Sequence, residues 1–381
     1  MDAPLVIIGA GLAGYTLAKE LRKLAPDLPI TLVTADSGAL YSKPMLSNAL
    51  AQGQAPEALV QASAAQQAEK LGITVLPHCP VKAIHREIRQ LDTACGPLAY
   101  SRLVLALGAR PRRLVADGAE ALPAVNHLDD YASFRQGLAP GARVIILGAG
   151  LVGCEFANDL AATGHAVTLV EAAERPLARV LPAALSQRLQ TSLAALGVAW
   201  HCGSQVKSVT PAGSGWQVKL ADGSVLEGDG VLSAIGLEPE TALAQAAGLA
   251  VGQGIQVDRT LATCDPDIYA LGDCVEVEGL VLPYVLPLMQ QARSLAATLA
   301  GTPTRMSLPA LPVAVKTPAC PLVVCPPPVG AEGDWIADRD DAGGAQYRFV
   351  DGAGALLGFA LAGDACGQRR ALAAQAPALL A

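Results

Sequence analysis

Leu5-Val6-Ile7-Ile8-Gly9-Ala10-Gly11-Leu12-Ala13-Gly14 stands near the start of the chain, and Val144-Ile145-Ile146-Leu147-Gly148-Ala149-Gly150-Leu151-Val152-Gly153 repeats its pattern 139 residues later. In each copy an apolar run leads into Gly-x-Gly-x-x-Gly. A helix-like stretch follows, Tyr15–Leu24 in the first and Cys154–Thr163 in the second. A lone Gly-x-Gly-x-x-Gly says little. Two copies, each between a strand and a helix, sit in the context that gives the motif its mechanism. The glycines allow a tight turn and close approach of the backbone, so that a pyrophosphate rests on a helix N-terminus. One copy implies one dinucleotide. Two imply two, with electrons able to pass between them. Gly9, Gly11, Leu12, Ala13 and Gly14 are the binding candidates of the first turn, and Gly148, Gly150, Leu151, Val152 and Gly153 those of the second.

The rest of the composition is consistent with this. A chain of 381 residues, 52% hydrophobic and 16% charged, forms two or three domains with large cores. Its apolar runs are broken by Gly, Pro or charge before they reach the roughly 18 residues of a membrane span. The first strand begins almost at once, which leaves no room for a signal peptide, and the chain reads as a soluble cytoplasmic protein. The net charge of −7 argues against nucleic acid as a partner. It also argues against a strongly acidic protein partner unless charge is segregated by face. Nine cysteines are scattered without a CxxC pair, so free thiols and no metal site are expected.

Along the chain, Leu5–Ile8, Tyr15–Leu24 and Ile30–Thr34 read as strand, helix, strand, the start of a doubly wound sheet. Residues 57–71 read as helix. Ile73–Leu76, Val81–Ile84 and Arg102–Leu107 read as strands, and Gly108-Ala109-Arg110-Pro111 begins a crossing to the next domain. The second βαβ unit runs from Arg143 to Glu171. A helix near Pro182–Leu196 follows, then hairpin strands around Ala221-Asp222-Gly223. After Gly236-Leu237-Glu238-Pro239 the chain returns to the first domain with a short strand, Ile268–Leu271, and a helix near Pro287–Leu299. From residue 305 a third, smaller domain is expected: an antiparallel sheet with a hairpin at Asp351-Gly352 and a last helix near Gly367–Leu380.

Glu171 ends the second strand of the second unit, 23 residues after Gly148. A carboxylate there accepts both ribose hydroxyls of NAD and repels a 2′-phosphate, which favours NADH over NADPH. Arg175 nearby is the one residue that argues for a phosphate. The corresponding strand of the first unit ends at Thr34, with Asp36 two residues on. Either of them holds the first ribose, or neither does.

Thr263-Cys264-Asp265-Pro266-Asp267-Ile268-Tyr269-Ala270-Leu271-Gly272-Asp273 resembles the second FAD motif of the two-dinucleotide flavoprotein reductases with the glutathione-reductase-like fold. The resemblance implies an α/β fold of two Rossmann-like domains plus a small C-terminal α+β domain. The FAD domain would be discontinuous (1–111 and 242–304), the NAD domain inserted (112–241) and the C-terminal domain 305–381. It implies that Asp273, after Gly272, bonds a ribityl hydroxyl of FAD, with Gly108 and Gly236 at the cofactor-facing crossings. It also implies that the helix N-terminus at Pro287 points its positive dipole end at the flavin. Tyr41-Ser42-Lys43-Pro44-Met45-Leu46-Ser47 is similar to the Tyr-x-Arg-Pro-x-Leu-Ser of ferredoxin reductases of oxygenase systems. Carried over, Lys43 meets FAD phosphate or flavin and Pro44 lines the ring. Those reductases have a lysine after Leu-Ser, where this chain has Asn48, so no ion pair beside the flavin is carried over from that motif. Gly153-Cys154-Glu155-Phe156-Ala157 matches their Gly-x-Glu-x-Ala and implies that Glu155 lies near the nicotinamide.

Phe156-Ala157-Asn158-Asp159-Leu160 and Val315-Lys316-Thr317-Pro318-Ala319-Cys320-Pro321-Leu322-Val323-Val324 resemble the rubredoxin–NAD reductase family. That resemblance implies FAD as cofactor, NADH as donor and rubredoxin as acceptor, serving alkane hydroxylation or oxygen detoxification, with Lys316 near the flavin. No cysteine follows the second strand, and the only close pair, Cys320 and Cys325, lies among prolines, so the electrons are expected to leave to an external carrier. Two other readings stay open. One is an NADH:ferredoxin reductase of an oxygenase system. The other is a flavin redox sensor that responds to NADH.

Overall fold

The first glycine turn leaves the central strand of a five-stranded parallel sheet, ordered Ile268–Ala270, Arg102–Leu105, Leu5–Ile8, Ile30–Val33, Thr74–Leu76. This is a computed structural model describing residues 3–381. Leu5–Ile8 is buried along its whole length, as a parallel strand covered on both faces must be. Helices Leu12–Leu24 and Val285–Leu299 pack against each other over this sheet. The edge strand Ile268–Ala270 comes from far along the chain, so residues after the second βαβ unit complete the first unit's sheet. A three-stranded antiparallel meander, Val81–His85, Gln90–Thr93 and Gly96–Ala99, lies between Thr74–Leu76 and Arg102–Leu105 in sequence.

The second turn repeats the arrangement. Its sheet is ordered Ala199–Cys202, Ala166–Glu171, Arg143–Leu147, Gly230–Ser233, all parallel. A meander of Val206–Ala212, Gly215–Leu220 and Val225–Gly228 precedes the last strand. Two short strands, Ala109–Pro111 and Leu237–Pro239, pair antiparallel where the chain crosses from one unit to the other and back. The remaining residues form a five-stranded antiparallel sheet ordered Val313–Val315, Leu322–Cys325, Leu356–Gly363, Gly344–Val350, Asp334–Asp340.

Two stretches differ from expectation. Residues 57–71 are not one helix. A 3-10 turn, Pro56–Leu59, precedes helix Ala64–Leu71, which starts late because Ser63 and Gln66 form a reciprocal capping box. The last helix is short, Arg369–Ala373, preceded by a 3-10 turn, Asp364–Gln368. Pro377 disfavours helix in the residue before it. Beyond it Leu380 pairs with Leu308, exchanging both backbone bonds at 2.8 and 3.1 Å.

The cores do not follow the sheets one to one. One cluster fills the first sheet and its helices. A second joins Phe156, Leu160 and Leu185 of the second unit to Leu322 and Val324 of the third sheet, and to Leu46 and Ala49 from the excursion after Ile30–Val33. The other face of the third sheet, with Phe359 and Leu361, packs against Leu372.

Candidate functional site

The two glycine turns are sterically alike, and each glycine has its own reason. Gly9 and Gly148 have φ of +114° and +103°, and a Cβ on them would lie 2.2 Å from the Ala106 carbonyl oxygen and 2.6 Å from that of Ala234. They make the turn. A Cβ on Gly14 or Gly153 would lie 2.0 or 1.9 Å from the carbonyl oxygen of the first glycine of its own motif. They let helix and strand close up. Gly11 and Gly150 differ. Their φ values of −71° and −75° suit any residue, and nothing lies within 4 Å of where a Cβ would be. Nothing in the chain requires glycine there. The open space in front of each fits a group that is not part of the protein.

Both middle glycines cap the following helix without a side-chain hydrogen bond. Helix Val285–Leu299 likewise begins at Tyr284 without a side-chain cap, and Pro287 lies in its first turn. Three helix N-termini therefore offer first-turn N–H groups that no capping side chain satisfies. Two of them follow the open glycines, which is the donor arrangement a pyrophosphate takes.

Around the first turn, Thr34 and Asp36 act together. The Thr34 hydroxyl donates to Asp36 Oδ1 at 2.7 Å, and Gly38 N–H donates to the same oxygen at 2.9 Å. Asp36 keeps its other oxygen free of both bonds. Gly272 has φ +86°, a Cβ on it would lie 3.0 Å from Ala13, and its N–H donates to the buried Gln291 Oε1 at 2.7 Å. This places Asp273 beside the first turn. Burial pushes the Asp273 carboxyl above its usual range, against the pull of Lys43. Burial likewise pushes Lys43 down, against Asp273, Asp36 and Asp130. His127 is held low by burial and by Lys43, which makes it part of the same charged pocket. Gly108, φ +73°, opens the crossing with no contact in front of it.

Around the second turn, Glu171 Oε2 accepts the Ala149 N–H at 2.6 Å and Oε1 accepts the Ala173 N–H at 2.9 Å. A carboxylate has about four lone-pair sites, so the strand-end acid still has capacity for two hydroxyls. Arg175 turns back on its own loop, donating to the Ala178 carbonyl at 3.4 Å. Gly236, φ +106°, lies beside Arg112.

Between the turns the structure builds something that the reading from Leu-Ser-Asn did not anticipate. Glu155, 4% exposed, is paired with Lys316 Nζ at 2.5 Å. Ser47 donates to Glu155 at 2.6 Å, and the Lys316 backbone N–H does so at 3.1 Å. Lys316 Nζ also donates to the Pro44 carbonyl at 2.6 Å and to Ser47 Oγ at 3.1 Å. Asn48 donates to the Lys316 carbonyl at 3.0 Å. An ion pair stands here after all, and its cation comes from the third sheet rather than from the position after Leu-Ser. Lys43 is not part of it. One helical turn on, Asp159 accepts the Leu50 and Ala51 N–H groups at 3.1 and 2.8 Å, and Asn158 accepts the Ala319 N–H at 3.0 Å. Ser47, Asn158 and Asp159 join this network without having been singled out one by one in the sequence, and Asn48, noted there only for replacing a lysine, joins it too. The signal was present in the run Glu155-Phe156-Ala157-Asn158-Asp159, polar residues on a helix face that also carries buried apolar ones.

All nine cysteines are unbridged. Cys320 and Cys325 are both buried and their thiols pushed up by burial, which makes them poor redox groups. Among the described residues no helix is long and apolar enough to cross a membrane.

Comparison with known proteins agrees with this geometry. Residues 3–296 match the family model of the pyridine nucleotide-disulphide oxidoreductases, and residues 305–376 that of the rubredoxin binding C-terminal domain. The chain is 45% identical to a rubredoxin-NAD(+) reductase of Acinetobacter baylyi, over 96% of each chain. It is 43% identical to a nitric oxide reductase FlRd-NAD(+) reductase of Aeromonas hydrophila, over 94% of this chain and 93% of the other. The crystal structure of a ferredoxin reductase from Rhodopseudomonas palustris superposes with a TM-score of 0.88 at 29% identity, covering 99% of this chain and 96% of that one.

Proposed function

The chain belongs to the pyridine nucleotide-disulphide oxidoreductase family, and from that premise we propose that it is an NADH-dependent FAD reductase that passes electrons to rubredoxin. The observation that carries the two-cofactor reading is the pair of middle glycines, open and unstrained in front of uncapped helices. The rubredoxin reading is supported by the match of residues 305–376 and by the relative at 45% identity. FAD would accept a hydride from NADH and release its electrons one at a time, as single-iron carriers require.

The chain's own residues bind and orient. Gly9, Gly11 and Gly14, with Leu12 and Ala13 opening the helix, hold the FAD pyrophosphate, and Thr34 with Asp36 holds its ribose. Asp273 accepts a ribityl hydroxyl, Lys43 sets positive charge beside it, and Gly108 and Pro44 leave room for the ring. Gly148, Gly150 and Gly153, with Leu151 and Val152, hold the NADH pyrophosphate. Glu171 accepts the ribose hydroxyls and excludes a 2′-phosphate, and Gly236 lines the crossing. Glu155 and Lys316 position the nicotinamide against the flavin. Most of the rate then comes from proximity and ring orientation. The domains are taken as 1–111 with 242–304, 112–241 and 305–381. The nicotinamide donor and the unbridged thiols support a reducing, cytoplasmic setting.

NADH-driven reduction of purified rubredoxin, run beside a [2Fe–2S] ferredoxin at equal concentration and varied salt, tests the reading. Faster reduction of rubredoxin is expected, with a rate that falls as salt rises in proportion to the charge used in docking. Preference for the ferredoxin moves the chain to the oxygenase-reductase branch with its binding residues unchanged. Slow turnover with both carriers makes it an NADH-responsive sensor.

A further inference from the structure

The meander beside the first sheet brings two cysteines to one threonine. Val81 pairs with Thr93. The Ala94 N–H donates to the Pro80 carbonyl at 3.0 Å, which carries the same register one step further. Ala94 and Cys95 are the two residues of the tight turn that joins Gln90–Thr93 to Gly96–Ala99, where Thr93 pairs with Gly96, and Cys79 lies two residues before Val81.

Cys79 and Cys95 meet at the Thr93 side chain. Thr93 Oγ1 accepts the Cys79 thiol at 3.3 Å and the Cys95 N–H at 3.1 Å, so one hydroxyl holds both cysteines. Cys79 is buried and Cys95 exposed. Burial pushes the Cys79 thiol up, but Cys95 and Thr93 outweigh it and hold the thiol below its ordinary value, while Cys79, with burial, holds the Cys95 thiol above its own. Cys154 and Cys274, buried without such a neighbour, are pushed up instead. Cys79 also sits directly under the first ribose turn. Its N–H donates to the Thr34 carbonyl at 2.8 Å, and the His78 N–H donates to the Asp36 carbonyl at 2.8 Å.

We propose that Cys79 and Cys95 are a reversible dithiol that hydrogen peroxide oxidises to a disulfide, clamping the turn that carries Thr34 and Asp36. The exposed Cys95, as thiolate, attacks a peroxide oxygen, breaking the O–O bond and giving the sulfenic acid and hydroxide. Cys79, as thiolate, then attacks that sulfur and expels a second hydroxide. The two thiol protons convert both hydroxides to water, so two electrons leave the sulfurs and reduce one peroxide. The clamp, unlike the disulfide, rests on the FAD reading above.

The full-length holoprotein is reduced, exposed to hydrogen peroxide, alkylated and peptide-mapped, and FAD release is followed after dilution. The expected result is one Cys79–Cys95 bridge, seen as a loss of two hydrogens and reversed by dithiothreitol, with slower FAD release from the bridged form. Cys95→Ser, at an exposed position, removes both effects, and Cys79→Ala serves as a second control. Both thiols surviving peroxide, or Cys95 going alone to sulfinic acid, overturns the proposal. A bridge that leaves FAD release unchanged overturns the clamp. The flavin absorbance of the untreated protein reports separately whether FAD is bound at all.

Discussion

The glycines of one motif separate into two classes that mutation can tell apart. Gly153→Ala forces a Cβ to 1.9 Å from the Gly148 carbonyl, and such overpacking costs about 1–3 kcal/mol or more. Gly150→Ala meets nothing and keeps an ordinary φ, so its effect on folding stays within about 1 kcal/mol. Its methyl group nonetheless occupies the space assigned to the NADH pyrophosphate. The expected outcome is an unchanged melting temperature with a raised KM for NADH at Gly150, and a lowered melting temperature at Gly153. Equal melting losses at both positions would refute the distinction. Asp273 gives a pH signature. Burial raises its carboxyl above the usual carboxylate range, with Lys43 opposing. The ionised form is the better acceptor for a hydroxyl. FAD retention should therefore weaken as pH falls through that raised value, at a higher pH than an exposed aspartate would produce. Asp273→Asn should bind FAD weakly and lose this pH dependence. A wild-type profile as flat as the variant's would move the ribityl contact elsewhere.

The helix Leu151–Ala162 does more than follow a glycine turn. Its inner face carries Glu155, Asn158 and Asp159 to three separate partners: the strand-end Lys316, the Ala319 amide, and the Leu50 and Ala51 amides. These bonds join the second unit to the third sheet and to the excursion from the first unit. Breaking a buried ion pair by removing one partner costs about 3–5 kcal/mol, and the one-third exposure of Lys316 reduces this to about 2 kcal/mol. Lys316→Met should lower stability by that amount and weaken NADH-driven flavin reduction. Adding Glu155→Gln should restore part of the stability, because the uncompensated buried charge is then gone. Urea unfolding of the two single variants and the double variant checks this. Additive losses would mean that the pair is not coupled.

On the scale of the molecule, the third sheet is not a free-standing docking module. One of its faces shares a core with the second unit, and Trp200 and Trp335 both pack against that core. Variants retaining only Trp200 or only Trp335 should therefore unfold at one urea midpoint, read by tryptophan emission. Two separated midpoints would show that the units unfold independently. The short 3-10 helix Lys43–Asn48 belongs by sequence to the first unit, yet Leu46 is buried in this shared core. The third sheet, the second unit and this excursion of the first are thus held by the same packing.

Both glycine turns, the strand-end Glu171 and the Gly-Asp pair were legible in the residues because each depends on local order. A strand, a turn and a helix of set spacing make the motif wherever it occurs. The helix boundaries near Ser63 and Pro377 were equally local, and the expected helices overran them only because capping and proline signals were outweighed by composition. The Glu155–Lys316 pair and the meeting of Cys79 with Thr93 depend instead on which distant or cross-strand segments meet. Lys316 stands 161 residues from Glu155. Only the docking of the third sheet against the second unit brings its amine to that carboxylate. The sequence by itself determined two glycine turns of the dinucleotide-binding kind and their places in the chain. The tertiary structure alone decided which charges meet between them, because charge pairing follows distance in space and not position along the chain.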